Sequence, residues 1–373
     1  KYEECDYRNY VMTNENERIN YATGILTHEE TDFVLPGVNG LDFSLTVRFN
    51  QEETALGRPG AVPTFQYEDS PSYSTWIFGY MSESERRYGI GAGWSFAMPY
   101  VEQDEYDRSE YYIKLADGSI MSSQNSIRKT KDITFEVRNR NDYVVTYKNG
   151  TKDYFDDIGI IRTEDRYGNA IQYFYADDGL LNKVIDSVNR TITFERTYHD
   201  ETNKAEVDVY VNGNWMCEYR LRKYDGNRYI MYEKKTRDKD NLYFYNNNEI
   251  EVSAPMTYKG DITSISTIEE IVNLSEKYSC KYEYDKGCMP IKSDYGSSGG
   301  REFMRLKSRK TVGDFSCQNE IVNEANYQYS DYYKNWSTPY EVTETIKQTG
   351  LQTTYRTNDY FGLIKNKKIT AAP

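Results

Sequence analysis

Tyr173-Phe174-Tyr175-Ala176-Asp177-Asp178-Gly179-Leu180-Leu181-Asn182-Lys183-Val184-Ile185-Asp186, continuing through Ser187-Val188-Asn189-Arg190-Thr191-Ile192-Thr193-Phe194, decides the fold. A strand ends in tyrosine, Asp178-Gly179 makes a tight turn, an apolar pair resumes the strand, and Asp186 opens a second turn. Aspartate can accept hydrogen bonds from the backbone just ahead of it, and glycine supplies the left-handed φ that such turns need. The layout recurs on both sides. Tyr167-Gly168-Asn169-Ala170-Ile171-Gln172-Tyr173 matches Val188 to Phe194 at an offset of 21, and Asp156 with Gly159-Ile160-Ile161-Arg162 stands one unit earlier. Fainter copies follow in Tyr282-Glu283-Tyr284-Asp285-Lys286-Gly287, leading to Asp294, and in Tyr355 to Asp359, leading to Gly362-Leu363-Ile364-Lys365. Units this short bury little alone and depend on their neighbours.

Outward from this stretch, alternation dominates. Val207, Val209 and Val211, then Asn212-Gly213, then Trp215, Cys217, Tyr219 and Leu221, read as a hairpin, because both turn residues tolerate φ > 0. The one weak helical stripe runs from Ile265 to Ser279. The expectation is an all-β chain of antiparallel hairpins in a curved, spiralling sheet, with few or no helices. A composition shift divides it into a lead-in β region, 1–145, and a repeat region, 146–373, read as truncated. The chain opens on Lys1 and is read as a piece of something longer.

Composition supports a folded, thin-layered molecule. Leu, Ile, Val and Phe make up only about a fifth of the residues, and the net charge is −13, a pairing that usually marks disorder. Aromatic residues overturn that reading at 15%, with 38 tyrosines among 373 residues, since disordered chains are poor in aromatics. A buried tyrosine needs a partner for its hydroxyl, which suits half-wet sheets better than one thick dry core. The acidic balance argues against a phosphate-backbone binder, so no nucleic-acid partner is expected. No run of 18 apolar residues is present, so no membrane span is expected.

The repeat resembles the RHS/YD-repeat family, which includes bacterial RHS and wall-associated proteins, the C component of insecticidal toxin complexes, and the teneurins. The lead-in Leu35-Pro36-Gly37-Val38-Asn39-Gly40-Leu41-Asp42-Phe43, continuing through Arg48, and Gly91-Ala92-Gly93-Trp94 are similar to the segment that precedes such repeats. The resemblance covers most of the chain from about residue 33, and residues 195–280 match poorly. It implies a β-shell scaffold, secreted or at a bacterial cell surface. Its partners would be the remaining repeats and a C-terminal effector of the same polypeptide. The family's Asp-Pro-x-Gly core motif is missing from this stretch, so self-cleavage is not carried over.

Residues that carry chemistry are thinly spread. Tyr88-Gly89-Ile90-Gly91-Ala92-Gly93 is similar to a phosphate-cradling loop, but Trp94 to Met98 reads as a strand rather than a helix, so a bend that turns Trp94 inward is expected. The doublets Asp156/Asp157 and Asp177/Asp178 fall at turn positions, and neighbours on a strand face opposite ways, which does not suit a paired-carboxylate glycosidase. His28 and His199 lie outside any nucleophile motif, and the five cysteines have no metal-ligand spacing. A Cys280–Cys288 disulfide across a turn stays open. No catalytic residue, metal or cofactor is expected. The alternative function is an extracellular carbohydrate-binding or adhesion module that grips cell-wall or host glycans with surface Tyr and Trp.

Overall fold

The computed structural model describes residues 10–14, 16–20, 24–54, 87–103, 110–118, 120–124, 127–129, 132–139, 141–157, 159–225, 228–252, 261–292, 298–313, 321–329, 341–357 and 364–370. The architecture is all-β and antiparallel. Tyr10–Asn14, Glu17–Asn20, Leu26–Leu35, Phe43–Asn50 and Trp94–Phe96 pair in that order as a five-stranded sheet, the lead-in sheet. Tyr100–Gln103, Glu110–Lys114 and Ile120–Gln124 form a three-stranded sheet. From Ile127–Lys129 to Ile364–Thr370, every strand then pairs with the next in one continuous ladder. The ladder is open: among the described residues its two end strands do not pair, and the one extra pairing is Val252 with Arg301. It begins ahead of the composition shift near residue 145 and crosses that point unbroken.

The ladder must curl. Lead-in residues touch it at strand Ile160–Glu164, where Tyr88 meets the Ile160 N–H, and at Ser298–Val312, where the Gly24 carbonyl accepts from the Leu306 N–H. Those strands are ten ladder steps apart, about 48 Å if the sheet were flat at ~4.8 Å per step, whereas five lead-in strands span only about 19 Å. The ladder therefore wraps around the lead-in sheet, and one hydrophobic cluster joins Leu45, Val47, Phe49, Trp94 and Phe96 to Phe194, Tyr219, Tyr243 and Leu306.

Local turn chemistry matches the residues. Asn212 and Gly213 take φ of 49° and 78° between strands Lys204–Val211 and Asn214–Asp225. Asp186 accepts from the N–H groups of Val188 and Arg190, Asp178 from that of Leu180, and Asp156 from that of Gly159. Gly168 and Gly179 have φ of 87° and 84°.

Three expectations are corrected. Ile265 to Ser279 is not helical: it spans strands Asp261–Asn273 and Tyr278–Lys292 and the turn between them. Glu269 is an extra residue in the ladder register, and it puts the inward Ile268 and Ile271 three apart, which imitates a helical stripe. Asp285-Lys286-Gly287 makes no turn. The strand runs straight through it, with Asp285 paired to Arg305 at 2.9 Å and Gly287 lying against the Phe303 ring. Cys280 and Cys288 share that strand, eight residues apart, about 26 Å at 3.3 Å per residue, far beyond disulfide reach; Cys280 is a free thiol.

Candidate functional site

The tyrosines of the repeat do a specific job. The second tyrosine of Tyr173-Phe174-Tyr175 donates to the Ile160 carbonyl at 2.8 Å. Tyr245 donates to Met231 at 2.5 Å, Tyr284 to Ile268 at 2.9 Å and Tyr329 to Leu306 at 2.5 Å. Each acceptor directly precedes an unpaired extra residue of its strand, namely Ile161, Tyr232, Glu269 or Lys307. A bulge strips a backbone group of its ladder partner and bends the strand. The tyrosine on the following strand restores that partner. Arg196 repeats the arrangement with a guanidinium, donating to Leu181 beside the extra residue Asn182. Tyr175, Tyr245 and Tyr284 each also face the next bulge, so bulge and lock alternate across the ladder.

Tyr-x-Tyr occurs at 173–175, 243–245, 282–284 and 327–329. The copies at 243 and 327 escape a reading keyed to Asp-Gly turns, because Asn246 and Ser330 follow them. The tyrosine pair itself was the usable signal, and one copy lies inside the poorly matching stretch.

The first tyrosine of three pairs points toward acidic groups. Tyr282 donates to Glu17 and Tyr327 to Glu344, at 2.7 and 3.0 Å. Tyr173 lies 3.4 Å from the Thr163 hydroxyl, which itself donates to buried Asp153 at 2.6 Å. Tyr147 donates to the other Asp153 oxygen at 2.7 Å. Burial pushes the Asp153 carboxyl above its usual range, and these hydroxyls pull against it.

The densest charged cluster is a seam between the lead-in sheet and the ladder. Lys234 is wholly buried; its Nζ lies 2.5 Å from Glu30 Oε2 and 2.7 Å from Asp32 Oδ1. Lys239 and Asn241 also donate to Glu30, at 3.1 Å each, and Tyr219 donates to Asp32 at 2.5 Å. Asp32 reaches this position because it is itself the extra residue in the pairing of Leu26–Leu35 with Phe43–Asn50. Burial works against the Glu30 charge, but Lys234 overrides it and holds the carboxyl well below its usual range; burial and the Glu30 charge hold Asp32 up. A second contact repeats the logic where Arg309 meets buried Glu17 at 2.7 Å. Three carboxylates of the lead-in sheet thus meet bases and tyrosines of the ladder. Apart from Lys239, which reaches solvent, these groups are enclosed, and they pair with one another. Among the described residues no group of His, Cys, Asp and Glu could hold a metal ion, and no helix is long and apolar enough to cross a membrane.

The remaining residues singled out in the sequence are distributed along the two sheets. Gly91 and Gly93 take φ of 121° and 74°, the Ala92 N–H bonds to the Tyr229 carbonyl at 2.6 Å, and Trp94 is fully buried with its Nε1 donating to Tyr245 at 2.9 Å. That bend docks on the ladder and leaves no open cradle. Pro36 accepts from Arg190, and the Gly37 N–H donates to Asp42 at 2.7 Å. Gly40 has φ of 78°, and Arg48 bonds Glu29 at 2.8 Å. Gly159 lies against the Tyr175 and Tyr88 hydroxyls, Tyr355 is buried beneath Lys367, and Tyr167 is 63% exposed. Asp294, Asp359 and Gly362 lie outside the described residues. Sequence reasoning missed Glu30, Asp32 and Lys234, because acids and a lysine some 200 residues apart carry no shared pattern.

No protein-family model matches the sequence, and no curated protein matches it. Among solved structures, the N-terminal domain of effector protein SpvB from Salmonella typhimurium aligns at 8% identity and TM-score 0.24, covering 92% of this chain and 100% of that one. TcdB2-TccC3-TEV aligns at 8% identity and TM-score 0.24, covering 94% of this chain and 19% of that one. TcdB2-TccC3-Cdc42 aligns at 9% identity and TM-score 0.18, covering 95% of this chain, which spans about a quarter of that one. Superposition at these scores assigns the chain neither family nor activity.

Proposed function

We propose that the chain is a non-enzymatic scaffold, a section of the β-shell of a larger secreted or cell-surface protein of the RHS/YD-repeat type that encloses or presents a C-terminal effector. The observation that carries this reading is that a ladder wraps its own lead-in sheet and pairs its buried ionisable groups internally, an arrangement built for rigidity. Among the described residues the end strands Ile127–Lys129 and Ile364–Thr370 pair on one side only, which supports it as well, since an uncovered edge invites further strands. Tyr175 and Tyr284 face inward to lock bulges and Trp94 is buried, so the glycan platform gains no support from these three. Limited proteolysis of the full natural polypeptide tests the reading. A segment outside residues 1–373 should resist protease while the shell is intact and be cut once denaturant opens it. Equal cleavage of every flanking segment under native conditions would count against a shell.

A further inference from the structure

The Lys234 seam brings together the parts of a reaction as well as an ion pair. Lys234 Nζ stands 2.7 Å from Asp32 Oδ1 and 2.5 Å from Glu30 Oε2, and the side chains of Lys234, Asp32 and Glu30 are 0%, 1% and 5% exposed. The other oxygen of Asp32 accepts from the hydroxyl of wholly buried Tyr219 at 2.5 Å. On the Glu30 side, His28 Nε2 lies 4.0 Å away, and the His28 ring packs edge-on against Trp94 and Tyr243 at 6.1 and 6.4 Å between centroids. An amine, a carboxyl group, a second carboxylate and a hydroxyl donor are thus held in contact behind aromatic walls. Ions kept out of water are costly. An amine and a carboxyl group fixed against each other also gain the large advantage of proximity, and enclosure removes the water that opposes condensation.

We infer that Lys234 and Asp32 condense into an isopeptide bond that ties the ladder covalently to the lead-in sheet, with Glu30 carrying the proton and Tyr219 holding the oxyanion. The carboxylates favour the charged lysine, so the first step passes a proton from Nζ across the hydrogen bond to Asp32 Oδ1. Burial already favours a protonated Asp32. The Nζ lone pair then attacks Cγ, and the carbonyl π pair moves onto Oδ2, where Tyr219 donates to it. Once Lys234 has lost its charge, the largest downward pull on the Glu30 pKa is gone, and Glu30 takes a proton from Nζ and hands it to Oδ1. The Cγ–Oδ1 bond breaks and water leaves. One amine and one carboxylic acid give one amide and one water, and no oxidant or cofactor enters. Asp32 is the electrophile because Lys239 and Asn241 also donate to Glu30 and keep it an anion, which an amine does not attack. The ion pair and its titration belong to the chain before the bond forms. The bond spans 202 residues of sequence, from strand Leu26–Leu35 to strand Arg228–Thr236.

The intact mass of the denatured chain, followed by tryptic mapping, tests the inference without any variant. The wild type should weigh one water less than its sequence. Trypsin should release Ile19–Arg48 joined to Tyr229–Lys235, because an acylated Lys234 is not cut. Fragment ions should place the link on Asp32. A wild type at full sequence mass, with Ile19–Arg48 and Tyr229–Lys234 recovered as separate peptides, would overturn the inference and leave the seam an ion pair alone. A link on Glu30 would overturn the choice of electrophile. Glu30→Gln then reads the proton carrier: in chains that keep the wild-type circular dichroism, the linked peptide should be lost and the full mass retained. Undiminished linking in Glu30→Gln would refute that role.

Discussion

Tyr284 carries its weight through one oxygen. Its hydroxyl is the partner of the Ile268 carbonyl, left over where Glu269 is squeezed out of register. Burial raises the phenol pKa well above its ordinary value, so it stays a neutral donor at any working pH. Tyr284→Phe keeps the ring and orphans the carbonyl, and a cost of about 1–3 kcal/mol is expected. Tyr167, mostly exposed, should tolerate the same change within about 0.5 kcal/mol. Urea denaturation of the two variants separates the roles. Asp153 offers a pH signature at the same scale. Its folded pKa is raised by burial, so its contribution is full below the unfolded value and is lost as pH rises through the folded one. The stability of the wild type relative to Asp153→Asn should therefore improve as pH is lowered from 7 toward 4.5. A flat difference across that range would show that Asp153 does not titrate in this way.

Bulges, more than strands, shape the elements. A bulge re-aims side chains and adds twist, and those at Ile161, Asn182, Tyr232, Glu269 and Lys307 are each followed on the next strand by a side chain that closes them. Gly159 shows how tightly the parts fit, since a Cβ there would clash with the Tyr175 and Tyr88 hydroxyls, whereas at Gly168 it would meet nothing within 4 Å. Gly168→Ala should cost about 1 kcal/mol from its positive φ alone. Gly159→Ala should cost more, and should also accelerate amide exchange in Ile160–Glu164, which mass spectrometry can read. Much at this scale was legible in the sequence. The Asn212-Gly213 hairpin and the Asp-Gly turns rest on local chemistry, which one sequence contains in full. Bulges depend on what the neighbouring strand presents, so they could not be read locally. Glu269 made a strand look helical, and Asp285-Gly287 looked like a turn until Arg305 and Phe303 were found across the ladder.

At the scale of the molecule, the lead-in sheet is the core around which the ladder is wound. The candidate seam could not be seen in the sequence because Glu30, Asp32 and Lys234 meet only through that winding. Lys234→Met would leave Asp32 buried without a cation and Glu30 with Lys239 alone, at an expected cost of about 3–5 kcal/mol. The pH dependence should change as well. In the wild type the depressed Glu30 pKa contributes stability above the unfolded value near 4.5 and loses it as pH falls. Without Lys234 the largest pull on the Glu30 pKa is gone and its depression weakens, so the deficit of the variant should shrink on acidification in parallel urea titrations. Hydrogen exchange along strand Leu26–Leu35, compared with ladder strand Arg228–Thr236, tests the central claim most directly. If the lead-in sheet is the buried core of the ladder, both strands are protected alike in the wild type, and Leu26–Leu35 loses protection first in Lys234→Met. Rapid exchange of Leu26–Leu35 in the wild type, with the ladder still protected, would contradict the account.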